Sequence, residues 1–529
     1  MSKVRAALAA SFSRIAERLA RDDPAAAGQW LGRFVILRLL GLVYLMAFLT
    51  LLQQGPALLG PRGLLPLGPY LDALAGQLGS RGAGFRALPS LFWLGAGAGA
   101  LRAVAWVGIA LSAAVLLGYA NALMLAVLCA LQISISNVGQ TFYGFGWEIQ
   151  LVETGFLCIF LCPLLDGRPF PHRAPPTAVI WLLRWLAVRI MWGAGLIKLR
   201  GDPCWRALTC LDSYFETQPI PSPLSLFFHA LPPWAHKAGV LFNHVVELGA
   251  PLLVFGGRRA RFVAGFLMAA LQLILILSGN LSFLNWLTLV PILACFDDGL
   301  WRRLFSRALA TGAQEARAAA QPSRAQGAVV GAVALAVVAL SVFPVVNLLS
   351  SKQAMNTSFT SLPLVNTYGA FGSVGRERAQ LVIEGTRDQV VTAATQWIAY
   401  QPRCQPADPA RRPCWMSPYH RRLDWLLWFA AMGSPRDYPW AVHLVAKLLE
   451  GDPDVLALFA WDPFAGTPPR HVRVELYRYQ FARPGAPVWW ERTRLGPWLP
   501  PLSRDDPTLR AFLFRRGWGD GRFDGQTAP

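Results

Sequence analysis

Charge is what this sequence has least of. Of 529 residues only 15% are Asp, Glu, Lys or Arg, where soluble globular chains carry nearer a quarter. Lysine is almost missing, since Arg supplies 44 of the 49 basic residues. The chain also has no G-x-S-x-G elbow, no H-E-x-x-H, no C-x-x-C and no nucleotide phosphate loop. Gly369-Ala370-Phe371-Gly372 is not such a loop, because neither a lysine nor a helix start follows where one is needed. Those absences exclude the common hydrolase, metalloprotease and P-loop classes.

What is abundant is apolar sequence: 54% hydrophobic residues and a mean hydropathy of +0.38. Apolar runs, most of them long enough to cross the hydrocarbon core as helices, recur through the first 350 residues. They predict about nine spans, roughly 34–53, 90–112, 113–136, 147–165, 178–199, 238–256, 262–278, 281–296 and 327–349. The formal charge of +19 would point to nucleic acid in a soluble chain. Here many of the basic residues lie in short loops between apolar runs, which is a membrane-topology pattern, and no nucleic-acid partner is expected.

Residues 1–33 read as a basic amphipathic segment on the inner membrane face, with Arg14, Arg18 and Arg21 at helical spacing. Placing that segment inside also places Arg168/Arg173, Arg258/Arg259/Arg261 and Arg302/Arg303/Arg307 inside. The uncharged turn at Ser278, the long loop 200–237 and everything after Ser350 then fall outside. The domain division is 1–33, a bundle over 34–350, and a soluble part over 351–529.

Four of the eight cysteines, Cys129, Cys158, Cys162 and Cys295, sit within or at the ends of apolar runs as packing residues. The others form close pairs in outside segments, Cys204 with Cys210 and Cys404 with Cys414. Disulfides in an oxidising compartment are the natural reading. Zinc is the alternative, against which neither pair has the usual ligand spacing.

After Lys352 the pattern changes. Ala379–Gly385 and Val472–Tyr479 alternate apolar and polar residues, as half-buried strands do. Leu423–Met432, Trp440–Leu449 and Asp452–Phe459 read as helices. The expectation is a strand-rich α+β part resembling a sandwich, with Trp and Arg on its surface.

Within the bundle, Glu148, Glu153, Arg184, Arg189, Lys198, His244 and Glu247 are ionisable residues in or beside apolar runs, costly in lipid and therefore candidates for function. Asn243, His244 and Glu247 fall close together on one helix, as a proton or metal site or as an interior hydrogen-bonded network; the network is favoured because they lie near the outer interface. Lys198 is expected to snorkel outward. Asn280, Asn285 and Gln272 are interhelical hydrogen-bonding candidates. Loop 200–237, rich in Pro and Trp, reads as an ordered docking surface or lid, with Trp205 and Trp234 as interfacial anchors.

Several of these stretches resemble the lipase maturation factor family: Leu196 to Trp205, Glu216-Thr217-Gln218-Pro219, Leu277 to Trp286, Val365 to Gly372, Arg412 to Trp415, and Leu448 to Pro453. The likeness spans roughly Ile36 to Pro501. It implies a membrane-resident folding factor that helps secreted lipases of the lipoprotein-lipase type mature, in the endoplasmic reticulum in animals. The client would be a secreted lipase or another exported protein, and membrane lipids the other partner. No cofactor and no catalytic role are implied.

Carried over, the motif residues open to client contact are Lys198, Asp202, Trp205, Glu216, Gln218, Asn280, Asn285, Trp286, Asn366, Tyr368, Gly369, Phe371, Gly372 and Trp415. The GC-rich residue bias suits a bacterial member, with the soluble part in the periplasm. The bundle also looks like a distant relative of DoxX-like and vitamin K-dependent carboxylase-type bundles. That likeness gives the alternative, a membrane enzyme or lipid- or quinone-binding protein.

Overall fold

The computed structural model describes residues 28–518; the expected amphipathic segment lies almost wholly outside them. Among the described residues, five helices are long and apolar enough to cross a membrane. They are α1 (Trp30–Leu59), α2 (Ala98–Leu117), α5 (Thr177–Arg200), α7 (Arg258–Ser278) and the run Arg324–Leu349, of which α9 (Arg324–Leu340) is the first part. Between them lie shorter buried helices: α3 (Ala122–Val138), α4 (Gly146–Ile159) and α8 (Leu284–Ile292). A further helix, α6 (Pro233–His244), runs on through a π-helical turn at Val245–Gly249 to Leu253.

Among the described residues there are thus five candidate spans by length and composition, where nine were expected. The boundaries expected near 90–136 also move. Leu91–Trp93 is only a 3-10 turn, α2 starts at Ala98, and α3 starts where the Asn121 side chain caps the Met124 N–H. The Gly/Ala run blurred the periodic signal, whereas the cap fixed the true start.

The start of α1 is closed from the far end of the bundle. Asp298 accepts the N–H groups of Trp30, Leu31 and Gly32 at 2.9–3.2 Å, satisfying orphan donors at the positive end of the helix dipole.

In the C-terminal part, β1 (Arg378–Thr386) and β5 (His471–Phe481) pair antiparallel from Arg378↔Tyr479 to Thr386↔His471. With β2 (Ile398–Ala399) and β6 (Trp490–Ser503) they make one four-stranded sheet, ordered β2-β1-β5-β6. Among the described residues the second sheet that a sandwich needs is only the two-residue ladder of β3 (Gln401–Pro402) with β4 (Phe459–Trp461). Helices fill that place instead. α10 (Arg422–Ala430) packs on β1, and α11 (Pro439–Glu450) on β5.

The apolar core does not stop at the boundary near Ser350. A single cluster of buried residues runs from Ile36 and Phe48 in α1 through Leu183 in α5 to Leu427, Val445 and Leu513. The bundle and the C-terminal part therefore share one core.

Candidate functional site

Three polar joints lock the C-terminal part onto the bundle, and most motif residues are inside them. The first is a strap over residues 366–372. Glu153 of α4 forms a buried ion pair with Arg189 of α5. Its other carboxylate oxygen accepts the Tyr368 hydroxyl at 2.6 Å, the Asn366 N–H at 3.0 Å and the Asn366 amide at 3.1 Å. Arg189 also donates to the Asn366 carbonyl at 2.8 Å.

The strap then follows α5 outward on glycines. A Cβ at Gly193 would sit 2.2 Å from the Tyr368 carbonyl oxygen, and one at Gly201 would sit 2.2 Å from that of Gly372. Only a residue without a Cβ admits the backbone so closely. The Asp202 N–H bonds the Gly372 carbonyl, and the Trp205 indole bonds that of Phe371, each at 2.8 Å. Gly369 packs on Met355 and donates to the Asn356 side chain.

The second joint centres on Arg422, at the start of α10. Its guanidinium donates to Glu148 at 2.8 Å and to the Phe142 carbonyl at 2.6 Å, and lies over the Tyr143 ring. Glu148 also accepts from Gln132 and from the Trp147 indole. Gln54 of α1 bridges the same place, accepting the Arg422 N–H and donating to the His420 carbonyl. His420 is fully buried, edge-on to Trp147, Phe145 and Trp425, and among the described residues neither ring nitrogen has a partner. Burial, reinforced by Arg422, holds that ring well below the ordinary histidine value.

The third joint explains the Glu216-Thr217-Gln218-Pro219 motif. Arg378 of β1 is buried and donates to the carbonyls of Glu216, Gln218 and Pro219 and to the Gln405 side chain. Burial brings this guanidinium down to about 9. The Glu216 carboxylate accepts the Phe481 N–H at 2.7 Å, and its own value is raised by burial. The Gln218 amide donates to the Ser278 carbonyl. At the adjacent turn, Asn280 donates to the Cys414 carbonyl and accepts from Met416 and Ser417, while the Trp286 indole donates to Ser417.

Several sequence expectations are corrected here. Lys198 does not snorkel. It is 4% exposed, donates to Glu247 at 2.5 Å and to Asn243 at 3.1 Å, and lies under the Trp205 ring. Asn243 donates to the same carboxylate, whereas His244 turns away to the Trp205 carbonyl. Lys198, Asn243 and Glu247 thus form one buried hydrogen-bonded cluster, with His244 outside it. Among the described residues no group of three or more His, Cys, Asp or Glu is placed to hold a metal.

Trp205 is 3% exposed and is no interfacial anchor, while Trp234 is exposed. Asn366, Tyr368 and Gln218 are buried and offer no surface to a client, and Asn285 is spent on Gln272 at 2.8 Å. Of the motif residues, Trp415 stays open at 48%. It lines a groove of about 400 Å³ with Pro223, Leu224, Arg412 and Pro413. Elsewhere on the C-terminal part Met432, Trp461, Leu495 and Phe514 are exposed.

Both outside cysteine pairs are disulfide-bonded, with Cα–Cα distances of 4.8 Å for Cys204–Cys210 and 5.4 Å for Cys404–Cys414. Arg378, Arg422, Gln54 and His420 were not singled out from the sequence. Nothing local marks them, because each acquires its role from a partner far along the chain.

The family described as lipase maturation factor transmembrane domain matches residues 31–303, and the one described as lipase maturation factor C-terminal domain matches 364–500. Bovine lipase maturation factor 1 is 48% identical over 516 residues, covering 92% of this chain and 91% of that protein. The human protein of that name is 46% identical, covering 92% and 90%. Chicken lipase maturation factor 2 is 29% identical, covering 91% and 82%. No solved structure matches. These relatives are animal proteins, so the bacterial reading drawn from residue bias has no support from them.

Proposed function

The chain belongs to the lipase maturation factor family, and on that footing we propose that it is a multi-pass membrane folding factor that brings secreted lipases to their active form by binding them. The observation that carries this reading is identity of 46–48% with lipase maturation factor 1 along more than nine-tenths of the chain, across both parts. By the same likeness it resides in the endoplasmic reticulum membrane with its C-terminal part in the lumen. Both disulfides fall on segments assigned to that side, which fits an oxidising compartment. We further infer nine crossings, the short buried helices and the π-interrupted run completing the five long spans; an odd number separates the basic N-terminus from the C-terminal part.

Client contact belongs on the exposed aromatic and aliphatic residues, not on the buried motifs. Truncation after Ser350 is a poor test, because it strips Glu148 of Arg422 and Glu153 of Asn366 and Tyr368. The better test keeps the full chain and substitutes Trp461→Ser with Leu495→Ser, both more than half exposed. In animal cells lacking their own factor, the unaltered chain is expected to restore active lipase in the medium and to co-purify with it. The double variant is expected to be membrane-inserted, stable and deficient in both. Failure of the unaltered chain to restore lipase activity would sink the proposal.

A further inference from the structure

The groove lined by Pro223, Leu224, Arg412, Pro413 and Trp415 sits where two loops clasp the outer end of α7. From one loop, the Ser222 hydroxyl donates to the Leu277 carbonyl at 2.9 Å and that of Ser225 to the Ser278 carbonyl at 2.7 Å. From the other, Asn280 holds Cys414 and Met416, each at 2.9 Å. The groove is thus fixed at the end of α7, one of the helices long and apolar enough to span a membrane.

What lies below and above it differs in kind. α7 leaves Val263, Phe266, Leu273, Ile274 and Leu277 exposed, a spacing that keeps them along one side of the helix. At the end of that helix the groove residues Leu224 and Trp415 are also exposed, as is Phe227 on the short helix Ser225–His229 that packs against α7. The same groove holds Arg412, which is exposed and, among the described residues, makes no hydrogen bond or ion pair and only faces the Trp489 ring at 5.8 Å.

An apolar helix side, an exposed tryptophan and an unpaired guanidinium at one helix end are the three chemistries that an acyl chain, a glycerol level and a phosphate call for. An extended peptide fits less well. Pro223 and Pro413 in the walls have no N–H to offer its backbone.

We propose that this groove seats one anionic phospholipid of the outer-side leaflet, its chain along α7, its glycerol beside Trp415 and its phosphate on Arg412. This goes beyond the folding-factor reading and does not depend on which client is served.

The test is native mass spectrometry of the full chain released from bilayers of equimolar phosphatidylserine and phosphatidylcholine. One retained phospholipid per chain is expected, with phosphatidylserine preferred. Loss of a charge-assisted contact in Arg412→Gln should lower the retained fraction by about tenfold, and Trp415→Ala should lower it as well. Arg483→Gln, an exposed arginine elsewhere, should leave it unchanged, and thermal melting should show all three variants folded. Excess inorganic phosphate should not displace the lipid. Equal retention in Arg412→Gln, displacement by phosphate alone, or recovery of a polypeptide in place of lipid would each overturn the proposal.

Discussion

Arg422 reaches Glu148 across 274 residues of sequence, Nη2 to Oε1 at 2.8 Å, with both side chains at most 1% exposed. Neither charge has access to water, so each depends on the other and on the surrounding donors and acceptors. Removing one partner of such a pair strands the other in an apolar setting.

Arg422→Ala should therefore destabilise the detergent-purified chain by about 3–5 kcal/mol, read as a lowered midpoint of tryptophan-monitored thermal unfolding. Combining Arg422→Met with Glu148→Gln removes both charges and should recover at least part of that loss. A double variant no better than Arg422→Ala would show that the pair is not the source of the effect.

The strap offers a steric test. At Gly193 an added Cβ meets backbone, the Tyr368 carbonyl oxygen at 2.2 Å, which cannot swing aside as a side chain can. Gly193→Ala should cost about 1–3 kcal/mol and speed proteolytic cutting between residues 351 and 378. Gly99→Ala is the control, on a helix position whose Cβ would meet nothing within 4 Å. It should be neutral or slightly stabilising.

His420 sets a pH dependence. Its folded value lies below the unfolded one of about 6.5, so its neutral ring is accommodated fully above that pH. Below it, the unfolded chain takes up a proton that the folded chain resists. Stability then falls by up to about 1.4 kcal/mol per pH unit until the depressed value is reached. Melting at pH 7.5 and 5.5 should show a smaller drop for His420→Phe than for the unaltered chain. Equal drops would assign the dependence to other groups.

The sequence made some of this legible and hid the rest for physical reasons. Alternation in Ala379–Gly385 and Val472–Tyr479 marked β1 and β5, which pair with each other, because each has one face on the core. β6 went unseen. Pro497, Pro500 and Pro501 argue against a strand, and are tolerated here because β6 is an edge whose pairing with β5 is broken by register shifts. Ionisable residues in apolar runs flagged Glu148, Glu153 and Lys198 as special. Their partners could not be read, since Asn366 lies 213 residues from Glu153. The motif stretches stand out in the sequence, and most of their residues are buried in the joints between the two parts.

The strap has a consequence for biosynthesis. Glu153 is synthesised long before Asn366 and Tyr368 leave the ribosome, and Glu148 long before Arg422. Until then the half-made bundle carries one carboxylate without its cation and another without most of its donors. The helices emerge first, but they reach their final arrangement only after the C-terminal third has been made and folded back on them. A nascent chain stalled before residue 422 thus leaves Glu148 without the cation that balances it.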